Sequence, residues 1–74
     1  MIEKNILLNM PINQLPVSEK LVFFGNNNNF GTLKELLSYS FWDLVIDKGC
    51  NLSCMVEIYK LLQENDCLDY LTVQ

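Results

Sequence analysis

The chain has 74 residues, with five lysines against nine carboxylates for a net charge of −4, and it contains no arginine, histidine or alanine. Half of its residues are hydrophobic and 11% are aromatic, too apolar for a disordered tail. No apolar run approaches the roughly 20 residues of a membrane span.

The start, Met1-Ile2-Glu3-Lys4-Asn5, lacks the apolar core and small-residue cleavage site of a secretory leader. The expectation is one soluble, cytoplasmic, all-α domain over residues 1–74. In chain order, residues 1–10 form an N-terminal arm carrying Ile6-Leu7-Leu8, and a helical core follows over 11–71. Met10 is held extended by Pro11. Ile12, Leu15 and Val17 point inward from an irregular turn. Ser18 is an N-cap whose hydroxyl accepts from an orphan backbone N–H, predicting a first helix from about Glu19 to Phe24. Gly25 and Asn26 to Asn29 end it, since both residue types tolerate the left-handed conformation of a helix C-terminus. The asparagine run reads either as a polar recognition loop or as a solvated connector.

Thr32-Leu33-Lys34-Glu35 has the spacing of a capping box and opens a second helix, about Leu33 to Ser38. Ser40 caps a third, about Phe41 to Asp47, with Asp43 in its first turn. Lys48-Gly49-Cys50-Asn51 is a tight turn. The last helix runs from about Leu52 to Asn65, and Met55, Ile58, Tyr59 and Leu62 fall on one face at i, i+3, i+4 and i+7. No segment of useful length alternates with period two.

Non-specific nucleic-acid binding rests on Lys and Arg displacing counterions from phosphates. An acidic chain with Lys4, Lys20, Lys34, Lys48 and Lys60 dispersed along it argues against that class. Without histidine it lacks the usual general base and the commonest metal ligand. Without arginine it lacks the bidentate phosphate fork. No catalytic residue and no cofactor are expected, and Glu57 and Glu64, two turns apart on one helix, read as solubilising charges. Cys50, Cys54 and Cys67 are odd in number, which fits a reducing compartment. Structural zinc takes four ligands, so the three cysteines read as small apolar core residues and not as a metal site.

Leu44-Val45-Ile46-Asp47-Lys48-Gly49-Cys50-Asn51-Leu52 resembles a helix-hairpin-helix, whose hairpin reads glycine, hydrophobe, glycine. Asn51 stands at the second glycine, where it would adopt positive φ at modest cost. The wider order is Ile6-Leu7-Leu8, Pro11-Ile12, Leu15-Pro16-Val17-Ser18, Phe30-Gly31-Thr32-Leu33-Lys34-Glu35-Leu36-Leu37, Ser40, Asp43-Leu44-Val45 and Glu57-Ile58. In that order and spacing, from about Ile6 to Leu71, the chain resembles the C-terminal domain of the bacterial RNA polymerase alpha subunit. The resemblance implies a compact bundle of four short helices with an irregular N-terminal turn, a SAM or helix-hairpin-helix-like fold.

In that family one helix and the hairpin hold DNA in the minor groove. The resemblance places the helix's arginine position on Lys20, and its asparagine and cysteine positions on Phe23 and Phe24. A shift of one residue puts Glu19 at the arginine position instead. The hairpin glycine falls on Asn51, its paired lysines on Leu52 and Ser53, its serine on Cys54 and its glutamate on Glu57. Two functions follow as expectations. One is a non-enzymatic, transcription-associated interaction module that works through protein contacts, its partner either transcription machinery or a second copy. Phe23, Phe24, Trp42 and Leu52 are its candidates, with core packing as the alternative for one of the phenylalanines and for Trp42. The other is weak minor-groove DNA binding through Lys20, Lys48 and the N-terminus of the last helix, with Asn51, Ser53, Cys54 and Glu57 at the family's contact positions. Neither a membrane nor a metal enters as a partner.

Overall fold

Every α-helix in the computed structural model, which describes residues 3–71, opens at a side-chain cap that the sequence supplies. Glu3 accepts from the N–H groups of Asn5 (3.3 Å) and Ile6 (3.4 Å) and starts α1, Lys4–Asn9. The segment expected as an arm is thus helical from Lys4 onward. Its Leu7 and Leu8 are buried and Ile6 is exposed, and it packs on α3, Leu33–Leu36. Met10 is extended ahead of Pro11, as the proline requires. The Ile12 N–H donates to the Gly31 carbonyl at 3.1 Å. An isolated antiparallel bridge joins Pro11 to Thr32, and no strand occurs among the described residues. A 3-10 turn, Ile12–Gln14, then buries Ile12.

Helix α2 spans Glu19–Asn27 and is capped by Ser18, whose hydroxyl accepts from the Leu21 N–H at 3.5 Å. It continues three residues past the expected end at Phe24, because Gly25 lies inside the helix and does not terminate it. A Cβ at Gly25 would stand 3.0 Å from Cδ1 of Ile12, so the glycine lets the 3-10 turn approach. The chain turns out of the helix instead at Asn29, just past the C-cap Asn28, with φ 60°. There the Phe30 N–H reaches the Gly25 carbonyl (2.8 Å) and the Asn29 N–H reaches that of Asn26 (3.2 Å). This pair of bonds is a Schellman motif, and the Phe30 ring meets Phe24 edge-on at 6.0 Å. The asparagine run is therefore a helix terminus built mostly from its own hydrogen bonds.

Thr32 Oγ1 accepts from the Glu35 N–H at 3.3 Å to open α3. The Glu35 carboxylate turns back to the Thr32 hydroxyl, 3.5 Å away. Ser40 accepts from the Asp43 N–H at 3.2 Å, as its capping role requires, but the helix it opens widens into a π-helical turn at Asp43–Asp47. The Lys48 N–H bonds to the carbonyl of Asp43, five residues back, at 3.1 Å. Gly49 then turns the chain with φ +75°. Helix α4, Leu52–Glu64, follows, and Asn51 is its N-cap with φ −79°. The positive φ expected at Asn51 is absent, because a cap needs an extended backbone to aim its side chain at the N–H groups ahead.

Helix α4 ends as α2 does. Asp66 takes φ 59°, while the Cys67 and Asp66 N–H groups reach the carbonyls of Leu62 (2.7 Å) and Gln63 (3.3 Å). A closing 3-10 turn spans Leu68–Tyr70. The most deeply buried leucines and isoleucine, Leu7, Leu21, Leu33, Leu36, Leu44, Ile58 and Leu62, come from all four α-helices and from the π-helical turn. They meet in one core.

Candidate interaction surfaces

Helix α2 and the turn ahead of α4 face each other across an open cleft of about 450 Å³. Lys20, Phe23 and Phe24 line it from α2, and Lys48, Asn51 and Cys54 line it from the other side. The fold thereby brings six of the residues singled out from the sequence to one place: Lys20, Phe23, Phe24, Lys48, Asn51 and Cys54. Ser53, Leu52 and Glu57 stand on α4 outside the cleft lining, and Trp42 lies at the start of the π-helical turn.

Several of these side chains are engaged within the protein. Asn51 Oδ1 accepts from the Cys54 N–H (2.9 Å) and from the Ser53 hydroxyl (2.7 Å). Glu57 accepts from both the backbone N–H (2.7 Å) and the hydroxyl (2.6 Å) of Ser18, tying α4 to the cap of α2. Lys48 Nζ lies 4.8 Å above the Tyr39 ring, a cation–π contact. Phe24 is a core residue and not an interaction candidate. Leu21, Phe24 and Gly25 form the buried stripe of α2, which turns Phe23 outward, 66% exposed.

The cysteines are buried. Burial, and then the neighbouring Cys54, pushes the Cys50 thiol up to about 12. Burial followed by the charge of Glu57 raises Cys54, and burial raises Cys67. Thiols held protonated are poor nucleophiles and poor ligands. The described residues contain no group of three or more metal-ligating side chains.

A second surface runs along α4. Leu52, Val56 and Tyr59 are all exposed at i, i+4 and i+7. With Phe41 and Met55 they line a groove of about 410 Å³, and Lys60 and Gln63 complete its wall. Trp42, half exposed, packs edge-on against Phe41 with ring centroids 5.1 Å apart. Tyr59, grouped by spacing on one face with Met55, Ile58 and Leu62, is exposed while those three are buried. Cys54, Met55, Ile58, Leu61 and Leu62 already fill the inward face of α4, leaving Leu52, Val56 and Tyr59 no room there. The signal was in the sequence: apolar residues at 52, 54, 55, 56, 58, 59, 61 and 62 span a wider arc than one buried face of a helix needs.

No protein-family model matches the chain, and neither a curated protein nor a solved structure does so. Among the described residues no helix is long and apolar enough to cross a membrane.

Proposed function

We propose that the chain is a non-enzymatic interaction module of transcription, built on a helix-hairpin-helix scaffold like that of the RNA polymerase alpha C-terminal domain and acting through protein contacts. One observation carries the reading: Phe23 and Leu52 are 66% and 68% exposed at positions where the resemblance puts DNA-contacting polar groups. Exposed apolar and aromatic side chains beside a cleft suit a protein partner, where aromatic anchors supply much of the binding energy. They offer nothing to a phosphate. Asn51, Ser53 and Glu57 are hydrogen-bonded inside the protein, which supports the same conclusion.

Weak minor-groove DNA binding is the second reading, favoured by Lys20 and Lys48 lining one cleft beside the N-terminus of α4. Two measurements separate the readings. Capture from the protein's own cell lysate should retain RNA polymerase subunits, and Phe23→Ala and Leu52→Ala should each weaken that capture without loss of helical signal. Polymerase capture unchanged in both variants overturns the protein-contact reading. Titration of an AT-rich duplex at about 50 mM and about 200 mM salt tests the other reading, since phosphate contacts make affinity fall steeply with salt. Saturable binding with that salt dependence establishes DNA as the ligand.

A further inference from the structure

We propose that the cleft between α2 and the turn ahead of α4 takes a short acidic segment of a protein partner, its carboxylates on Lys20 and Lys48 and an apolar side chain of the segment against Phe23. The proposal rests on the protein-contact reading above and gives the chemistry of the partner.

Charge carries the argument. Two of the chain's five lysines line this cleft, and no carboxylate does. The carboxylates nearest to them in sequence lie elsewhere: Glu19 lines a separate hollow with Asn13 and Leu15, and Asp47 stands outside the lining. Glu57, on α4, is held by Ser18. Among the described residues neither lysine forms an ion pair, so the anion that complements them belongs to a partner. Lys48 is also positioned in advance. Its ammonium rests 4.8 Å above the Tyr39 ring, and less side-chain freedom is lost when a ligand arrives.

The net charge of −4 does not set the sign at the cleft. The body measures 30 × 24 × 19 Å, and charges are screened over about 8 Å at physiological salt. Carboxylates on the far faces therefore act weakly on a ligand in contact with two lysines.

The rest of the wall favours a peptide over a phosphate backbone. Phe23 is exposed at the cleft and offers an aromatic anchor that a phosphate has no use for. The Asn27 side-chain amide lines the cleft and has no hydrogen-bond partner among the described residues. It can donate to and accept from a peptide bond. An open cleft of about 450 Å³ suits a short segment and not a folded face.

Selection from a random peptide library displayed in many copies, so that avidity retains weak binders, provides the test. The parent chain should enrich sequences with Asp or Glu beside Leu, Phe or Trp. Synthetic peptides of those sequences should bind about tenfold more weakly to Lys20→Glu and to Phe23→Ala. Circular dichroism should be unchanged in both variants, because both side chains are exposed. Lys20→Glu combined with Lys48→Glu should enrich basic sequences instead, a reversal that a loss of structure does not produce. Enrichment of no sequence, or of sequences without carboxylates, overturns the proposal, and so does equal binding to Lys20→Glu. An AT-rich duplex that binds at about 50 mM salt while no acidic peptide binds gives the cleft to nucleic acid and overturns it too. If acidic peptides fail and Phe23→Ala still loses polymerase capture, the acidic segment falls while the protein-contact reading stands. If acidic peptides bind through the lysines and polymerase capture is unchanged in Phe23→Ala, the assignment to transcription falls and the chemistry of the cleft stands.

Discussion

At Gly49 the backbone holds φ +75°, and beyond its two chain neighbours no atom lies within 4 Å of where a Cβ would stand. Its requirement is conformational and owes nothing to packing. Gly49→Ala should cost about 1 kcal/mol, seen as a lower urea midpoint with an unchanged m value. Cys50 makes a different prediction. Its thiol is pushed up from 9.0 to about 12, first by burial and then by Cys54. Above about pH 9 the unfolded chain releases this proton while the folded chain keeps it. The unfolded state then binds fewer protons, so stability falls as pH rises from about 9 towards 12 and is untouched below that window. The slope for one thiol approaches about 1.4 kcal/mol per pH unit. Cys54 and Cys67 shift in the same direction. Urea melts at about pH 8 and about pH 10 should show a larger drop for the parent than for Cys50→Ala.

Among the elements, α2 and α4 share one design. Each begins at a polar cap, Ser18 or Asn51, and each ends with a non-glycine residue in the left-handed region, Asn29 or Asp66. The C-cap asparagines also match: Asn28 Nδ2 donates to the Phe24 carbonyl at 3.0 Å and Asn65 Nδ2 to that of Leu61 at 2.8 Å. Asp66→Gly should stabilise the protein by about 0.5–1 kcal/mol, because glycine enters the left-handed region without a steric penalty. Asn51→Ala should cost about 1 kcal/mol through loss of the α4 cap. Thermal melts of the two variants should therefore move in opposite directions.

The caps were the most legible feature of the sequence. Ser18, Thr32 and Ser40 each bond the N–H three residues ahead, a local geometry that spacing alone specifies. The π-helical turn was not legible. Residues 41–47 carry the same apolar spacing whether a carbonyl bonds four or five residues on, and only the packing of Leu44 and the turn at Gly49 decide between them. The end of α2 was misplaced for a related reason, since what retains Gly25 inside the helix is Ile12, thirteen residues earlier. At the candidate site, local pattern identified the residues but not their exposure. Phe23 and Phe24 are adjacent and chemically identical, and they part company only when α2 chooses its buried stripe.

At the scale of the whole molecule, an acidic chain folds into a body of 30 × 24 × 19 Å with a cleft beside α2 lined mainly by polar residues, where Phe23 is exposed, and an apolar groove on α4. The missing arginines and the dispersed lysines were visible in composition. Their consequence was not, because only the fold puts Lys20 and Lys48 on one cleft and Leu52, Val56 and Tyr59 on one outward stripe. Likewise, Glu57 read as a solubilising charge, and its partner Ser18 lies 39 residues away.

That separation also bears on time. A bond joining Ser18 to Glu57 encloses α3 and the π-helical turn, and the entropy of closing so long a loop opposes it until the intervening chain is in place. Its contribution belongs to the native state and not to the barrier that leads there. Glu57→Gln should therefore quicken unfolding by up to about tenfold, for a loss of about 1.4 kcal/mol, and leave the folding rate unchanged. In stopped-flow experiments the unfolding limb of the chevron rises and the folding limb stays where it was. The link between the two helices governs how long the folded molecule lasts, and it has no part in how quickly that molecule forms.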